Sequence, residues 1–306
     1  MKARKGIYAA AITPFETDGR VDRARLIAYC QHLLGPGGCD GIAPTGTTGE
    51  GTSIAMADRL ALPSVFADAG IGADRVIFGT GAPAAGDALA LTCATLEAGF
   101  CNVLVLPPYY YKAPSDDGVY AYYARLIDGV GRDDLRVYLY HFPQMSAVPL
   151  SVALVQRLIA DFGPIVAGLK DSSGDFAQSA AFLDATGGVD ASFYIYPSSE
   201  AMLWDGLARG SAGIISGSTN AFGALAQAAL QADLGPARDA AMDRVRAARA
   251  MAGKYPLMAA MKQAEAWRSN DDEWTRMAPP LVALNAVQKQ ALRKDLKTHL
   301  RQEEAA

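Results

Sequence analysis

Eight short apolar runs, each followed by an amphipathic stretch, constrain this 306-residue chain more than any other feature. The runs are 7–13, 41–45, 75–81, 102–107, 136–142, 165–171, 192–198 and 212–217. They are apolar almost continuously rather than at every second position, the pattern of parallel strands covered on both faces. Helix-like segments follow near 22–35, 53–69, 83–98, 115–130, 150–161, 174–185 and 199–209, with an eighth near 221–232. Ser53, Ser115 and Ser151 stand at helix starts as N-caps, and Pro83 and Pro114 lie near first turns, where proline costs little. Eight strand–helix units of about 30 residues match an α/β fold of the (β/α)8 TIM-barrel type by number and length. A doubly wound open sheet is the competing architecture, but no GxGxxG follows an early strand.

Three further helices are predicted over 236–251, 256–268 and 280–300, separated by "GKYP" and "MAPP". Composition does not shift there, so the expected organisation is a catalytic barrel over 1–232 with a helical extension over 233–306 packed on it. Hydrophobic residues make up 51% and charged residues 20%, ordinary for a globular protein. A formal net charge of −4 gives no electrostatic case for a nucleic acid or an anionic membrane as partner. The basic N-terminus has too short an apolar part, broken by Pro14, for a signal peptide or membrane span, and a cytoplasmic location is expected. Cys30, Cys39, Cys93 and Cys101 show no CxxC pairing and read as free buried thiols. His32, His141 and His299 have no metal-ligand spacing, so no metal and no other cofactor are expected.

Barrels of this kind build their sites at the C-terminal ends of the strands. That rule selects Gly46, Thr47 and Thr48 in "PTGTTGEG", the tyrosines 109–111 in "PPYYYKAP", Tyr140 at the fifth strand and Lys170 at the sixth. Taken singly, each has an ordinary explanation: a solvated lysine, a packing tyrosine, a tight turn. Yet of nine lysines only Lys170 lies inside a strand-like run. An amine withdrawn from water favours its neutral form and can attack a ketone to give a Schiff base. A tyrosine on the neighbouring strand could move the proton, and a Gly-Thr-Thr-Gly turn could hold a carboxylate as an anion nest.

The stretches "GTTGE" (46–50), "PPYYY" (107–111), "YHFP" (140–143) and "GLKDSSGD" (168–175) resemble the dihydrodipicolinate synthase and N-acetylneuraminate lyase family, over about residues 6–300. These are class I, pyruvate-dependent aldolases on TIM barrels. The resemblance implies that Lys170 forms the Schiff base, that Tyr140 shuttles protons, and that Thr47 and Thr48 hold the pyruvate carboxylate and join the relay. It implies that Tyr110, or Tyr109 if the register slips, is lent across a dimer interface to a neighbour's site. Ile215 would line the pyruvate end, and the assembly would be a homotetramer, a dimer of dimers.

Dihydrodipicolinate synthases usually carry an arginine two residues beyond the proline of the tyrosine motif; here Met145 stands there, with no bidentate grip on a carboxylate. Ser198, Ser199 and Glu200 after the seventh strand could instead bind substrate hydroxyls. The expected activity is cleavage of a 4-hydroxy-2-oxo acid, such as a 2-oxo-3-deoxy sugar acid, to pyruvate and an aldehyde. Alternatives are the condensation of pyruvate with aspartate semialdehyde, a Schiff-base dehydratase, and a 2-oxo acid sensor without turnover.

Overall fold

The computed structural model describes residues 3–304, with side chains described up to residue 297; the His299 side chain lies outside the described residues. In chain order the elements are β1 (Gly6–Ala9), α1 (Arg23–Leu33), β2 (Gly41–Ile42), α2 (Met56–Asp68), β3 (Phe78–Gly79), α3 (Ala85–Glu97) and β4 (Asn102–Val105). There follow α4 (Asp116–Val130), β5 (Arg136–His141), α5 (Pro143–Ser146), α6 (Val152–Phe162), β6 (Val166–Asp171), α7 (Phe176–Thr186) and β7 (Tyr194–Pro197). The chain ends with α8 (Leu203–Ala208), β8 (Gly213–Ser216), α9 (Thr219–Gln231), α10 (Pro236–Ala252), α11 (Leu257–Ser269) and α12 (Ala286–Glu304).

All ladders are parallel, in the orders β2-β1-β8 and β3-β4-β5-β6-β7. Backbone bonds close the two arcs into a barrel: Ile77 N–H to Ile42 O at 3.0 Å on one side, Ala212 N–H to Ile195 O at 2.9 Å on the other. The strands are shorter than the apolar runs that announce them. Beyond each ladder the run continues as the loop at the rim.

Alternation along each strand sorts side chains between two buried regions. Val137, Leu139, Leu169 and Ile195 point outward beneath the helices, whereas Tyr8, Tyr138, Tyr140, Tyr196 and Ile215 fill the lumen. Tyr8, Tyr138 and Tyr196 form its floor, and their hydroxyls are satisfied by the segment entering β1 and its neighbour: Ala3 N–H to Tyr138 at 3.2 Å, Tyr196 to Arg4 O at 2.9 Å, Tyr8 to Asp74 O at 3.3 Å.

The β5–β6 register shifts by one residue: Val137 pairs with Val166, but Tyr138 pairs with Gly168 and Tyr140 with Lys170. The extra residue in β6 reverses which face each later side chain meets. Without it Lys170 would point out under the helices; with it, Lys170 points into the lumen. Gly168 is required at this place, since a Cβ there would lie 2.2 Å from Tyr194 O and 2.7 Å from the Tyr138 ring.

Helices α10, α11 and α12 share one apolar core with the outer faces of β1 and β2, through Met242, Val245, Met261 and Leu292 among others. Ser115 and Ser151 cap α4 and α6, accepting from Gly118 N–H and Leu154 N–H. Ser53 does not cap α2, which starts after Ala55 without a side-chain bond; Ser53 N–H still serves the preceding turn, bonded to Glu50 O. The last helix begins at Ala286 rather than 280, after the Pro279–Pro280 pair, with reciprocal bonds between Asn285 and Gln288 (2.9 and 3.0 Å) at its start. The four cysteines are free, but only Cys30 and Cys39 are buried; Cys93 and Cys101 are partly open. Among the described residues no helix is long and apolar enough to cross a membrane.

Two expected outcomes test this description. Ser151→Ala should cost about 1 kcal/mol in urea denaturation, the usual worth of a serine N-cap. The second concerns His141, buried on the outer face of β5, whose Nδ1 accepts from Leu150 N–H at 3.0 Å. Burial pushes its pKa down, with Asp171 opposing. A depressed histidine stabilises fully above the ordinary imidazole value of about 6.5 and loses that contribution as pH falls toward its folded pKa. Urea midpoints should therefore drop between pH 7 and pH 5.5, and His141→Gln should drop less over the same interval.

Candidate active site

The site is built from Lys170 outward. Its Nζ donates to the Tyr140 hydroxyl at 3.1 Å, and Tyr140 donates to Thr47 Oγ1 at 3.3 Å. The amine also lies 4.4 Å from the centre of the Tyr140 ring. Lys170 is 4% exposed and Tyr140 3%. An amine, a phenol and an alcohol thus run in a line from inside the barrel to the turn after β2. The cross-strand register of Tyr140 and Lys170 sets the first distance, and the turn sets the second.

That turn is tightly constrained. Thr45 and Glu50 both sit at positive φ (57° and 56°), a conformation that disfavours side chains. Gly51 N–H reaches Gly46 O, and Glu50 N–H reaches Thr47 O, each at 3.0 Å. Gly51 is obligatory: a Cβ there would fall 1.9 Å from Thr45 O. Thr48 packs close to Gly217 at the end of β8, where an added Cβ would come within 3.0 Å of its Oγ1. The threonines therefore face two sides of the lumen mouth, toward Tyr140 and toward β8. Ile215 of β8 is fully buried in the same lumen cluster as Tyr140.

The remaining expected residues lie elsewhere. Met145, on the short helix α5 that the sequence did not show, is 54% exposed at the rim. Tyr110 is 74% exposed and stacks edge-on with Tyr111, whose ring centre is 5.3 Å away. Tyr109 is half-buried in the same loop. Glu200, expected as a ligand for substrate hydroxyls, is fully buried, and one of its oxygens accepts from Ser216 Oγ at 2.6 Å. Ser216 follows the inward Ile215, so alternation places it, and Glu200 with it, outside the barrel wall. Ser199 is mostly buried and is used locally, accepting from Ala201 N–H at 3.3 Å.

Two residues not singled out in the sequence border the turn. Arg59 of α2 is buried beside Gly46, Thr47 and Tyr140 and donates to Gly79 O and Gly81 O at 3.0 and 3.1 Å. Burial holds its pKa below the ordinary arginine range. An arginine in the first turns of a helix carries no signal that it will turn inward. Glu50 is fully buried against Lys262 of α11; a glutamate in a glycine-rich turn was the available hint. Among the described residues no cluster of His, Cys, Asp or Glu suited to a metal ion occurs.

The chain matches the Dihydrodipicolinate synthetase family over residues 3–299. It is 36% identical over 295 residues to an uncharacterized DapA-like lyase of Chloroflexus aurantiacus, covering 96% of each chain. It is 31% identical over 210 residues to the 4-hydroxy-tetrahydrodipicolinate synthase of Bacillus subtilis, covering 69% of each. Among solved structures, dihydrodipicolinate synthase from Agrobacterium tumefaciens superposes with a TM-score of 0.85 at 33% identity, covering 96% of this chain and 99% of that one. YagE of E. coli K12, a prophage protein of the dihydrodipicolinic acid synthase family solved with pyruvate, superposes at 0.86 with 26% identity, covering 96% and 98%. With its TIM barrel and near-complete coverage, the chain belongs to the dihydrodipicolinate synthetase family.

Proposed function

We propose that this lyase acts through a Schiff base between Lys170 and the 2-oxo group of pyruvate or a pyruvate-derived acid. The observation that carries the reading is the buried line Lys170–Tyr140–Thr47, with contacts of 3.1 and 3.3 Å. In the cleavage direction the Lys170 amine adds to C2 of a 4-hydroxy-2-oxo acid, and loss of water leaves an iminium. Tyr140, relayed through Thr47, takes the proton of the C4 hydroxyl. The C3–C4 bonding electrons move into the iminium as an enamine, and the aldehyde leaves. A proton returned to C3 and a water added to C2 then release pyruvate and free the amine.

The turn Gly46–Thr47–Thr48 is suited to the substrate carboxylate, since an anion is best held where backbone N–H groups and hydroxyls converge. Ile215 would pack against the methyl end. No cofactor enters this chemistry. The exposed pair Tyr110 and Tyr111 fits a contact with a second copy, as in a cytoplasmic homotetramer in which Tyr110 completes a neighbour's relay. The proposed organisation keeps a barrel over 1–232 and an extension over 233–306, whose helices α10 to α12 follow the last strand and pack on the core shared with β1 and β2.

Synthase chemistry with aspartate semialdehyde is the second reading, favoured by the relative of that kind in Bacillus subtilis. Against it, the rim position after β5 holds Met145 rather than a cation. A sugar-acid aldehyde, which presents hydroxyls rather than a second carboxylate, suits such a rim better.

Incubation with pyruvate and borohydride should leave a stable adduct on Lys170, read by mass spectrometry, and Lys170→Ala should remain folded without adduct. Absence of an adduct on the native chain removes the reading. Tyr140→Phe should still trap pyruvate but lose about 10²–10⁴-fold in turnover, the range for a lost acid–base group. Pyruvate release across a panel of 4-hydroxy-2-oxo acids, set against pyruvate consumption with aspartate semialdehyde, separates lyase from synthase.

A further inference from the structure

The carboxylate turn is tied to the C-terminal helices through a charge pair withdrawn from water. Glu50 and Lys262 face each other as an ion pair with fully buried side chains. The other Glu50 oxygen accepts from Ala278 N–H at 2.8 Å, and Lys262 Nζ donates to Arg276 O at 2.6 Å. The ammonium also lies 4.4 Å from the centre of the Phe15 ring, just beyond β1. Lys262 and the Ala278 amide thus hold the Glu50 carboxylate, while Phe15 and Arg276 O hold the Lys262 ammonium in turn.

This pair is poorly explained as a device for stability. Two charges removed from water lose solvation that their mutual attraction rarely exceeds, and apolar replacements are often at least as stable. Position 50 is also one where a side chain is strained, because its φ is 56°. Glycine stands at 46, 49 and 51 of the same turn, and glycine would relieve the strain at 50. What glutamate adds at this position is a carboxylate, bonded here to Lys262 and Ala278 N–H. What that carboxylate governs is adjacent: Glu50 N–H bonds Thr47 O at 3.0 Å, and Thr13 Oγ1 bonds Gly49 O at 2.7 Å. Holding the side chain of residue 50 fixes the backbone that presents Thr47 to Tyr140 and Thr48 to the β8 end.

We infer that Glu50 and Lys262 are positioning residues for the carboxylate turn, so that α11 sets how well the site binds a 2-oxo acid. Neither residue touches the reacting atoms; both act through Thr47 and Thr48. The inference rests on the proposed role of that turn in pyruvate binding. It makes the C-terminal helices part of the binding machinery rather than an inert cover.

The test uses the full chain with Glu50→Gln, which keeps an acceptor for Ala278 N–H, and Lys262→Met, which keeps the length of the side chain. For each folded variant the half-saturating pyruvate concentration for borohydride trapping at Lys170 is measured, together with amide hydrogen exchange over residues 46–51. The expected result is a rise in half-saturating pyruvate of about tenfold or more, with trapping at saturation nearly unchanged, since loss of alignment weakens binding before it removes the nucleophile. Exchange over 46–51 should quicken in step. A folded variant with unchanged half-saturation and unchanged exchange overturns the inference and leaves the pair merely structural. Should Lys262→Met fail to fold, Glu50→Gln decides alone. If the native chain itself traps no pyruvate, the Schiff-base reading falls, and exchange over 46–51 in Glu50→Gln decides separately whether the pair holds the turn.

Discussion

One extra residue in β6 is the constraint on which the site depends. A strand alternates its side chains strictly, so a one-residue slip exchanges lumen for exterior along everything that follows. The shift between Val137 and Tyr138 lets Leu169 remain under the helices while Lys170 turns inward, level with Tyr140. An amine placed on the outer face would instead meet the apolar side chains beneath the helices. The same shift needs Gly168, where the Tyr138 ring and Tyr194 O leave no room for a Cβ. The floor of tyrosines and the position of the lysine are therefore one packing solution.

Above that floor lies a buried lumen in which Lys170, Tyr140 and Thr47 are bonded to one another. The tyrosines of the floor spend their hydroxyls on backbone near residues 3–4 and 74. Tyr140 is different, because its hydroxyl bonds two other side chains, Lys170 and Thr47. Low exposure strengthens such bonds and excludes competing water. The rim then divides the labour: rigid strand ends carry the amine and the phenol, while loops carry the threonines and the exposed tyrosines.

The architecture could be read from the chain with little loss, because parallel strands buried on both faces leave continuous apolar runs at regular spacing. The misreadings have local causes. Ser53 resembled a cap, but the glycine-rich turn extends to residue 54 and uses the Ser53 amide itself. Residues 280–285 looked helical by composition, yet two prolines and the Asn285 cap delay the helix to Ala286. Glu200 follows a strand in a polar loop, and its burial and its bond from Ser216 are visible only in the fold. Arg59 and Lys262 were silent because a charge on a helix ordinarily faces water, and only their neighbours reveal that these two do not.

By itself the sequence determined the chemistry on offer: an apolar run ending in Lys170, a tyrosine ending the preceding run, a Gly-Thr-Thr-Gly turn, and the periodicity that makes eight strands parallel. These are matters of residue type and local spacing, and local spacing is what a chain carries openly. Only the tertiary structure decided which of those groups meet. The lateral register of β5 and β6, the inward turn of Lys170, the outward turn of Glu200 and the pairing of Glu50 with Lys262, 212 residues later in the chain, follow from barrel closure. Closure brings together atoms whose separation in sequence has no bearing on their separation in space.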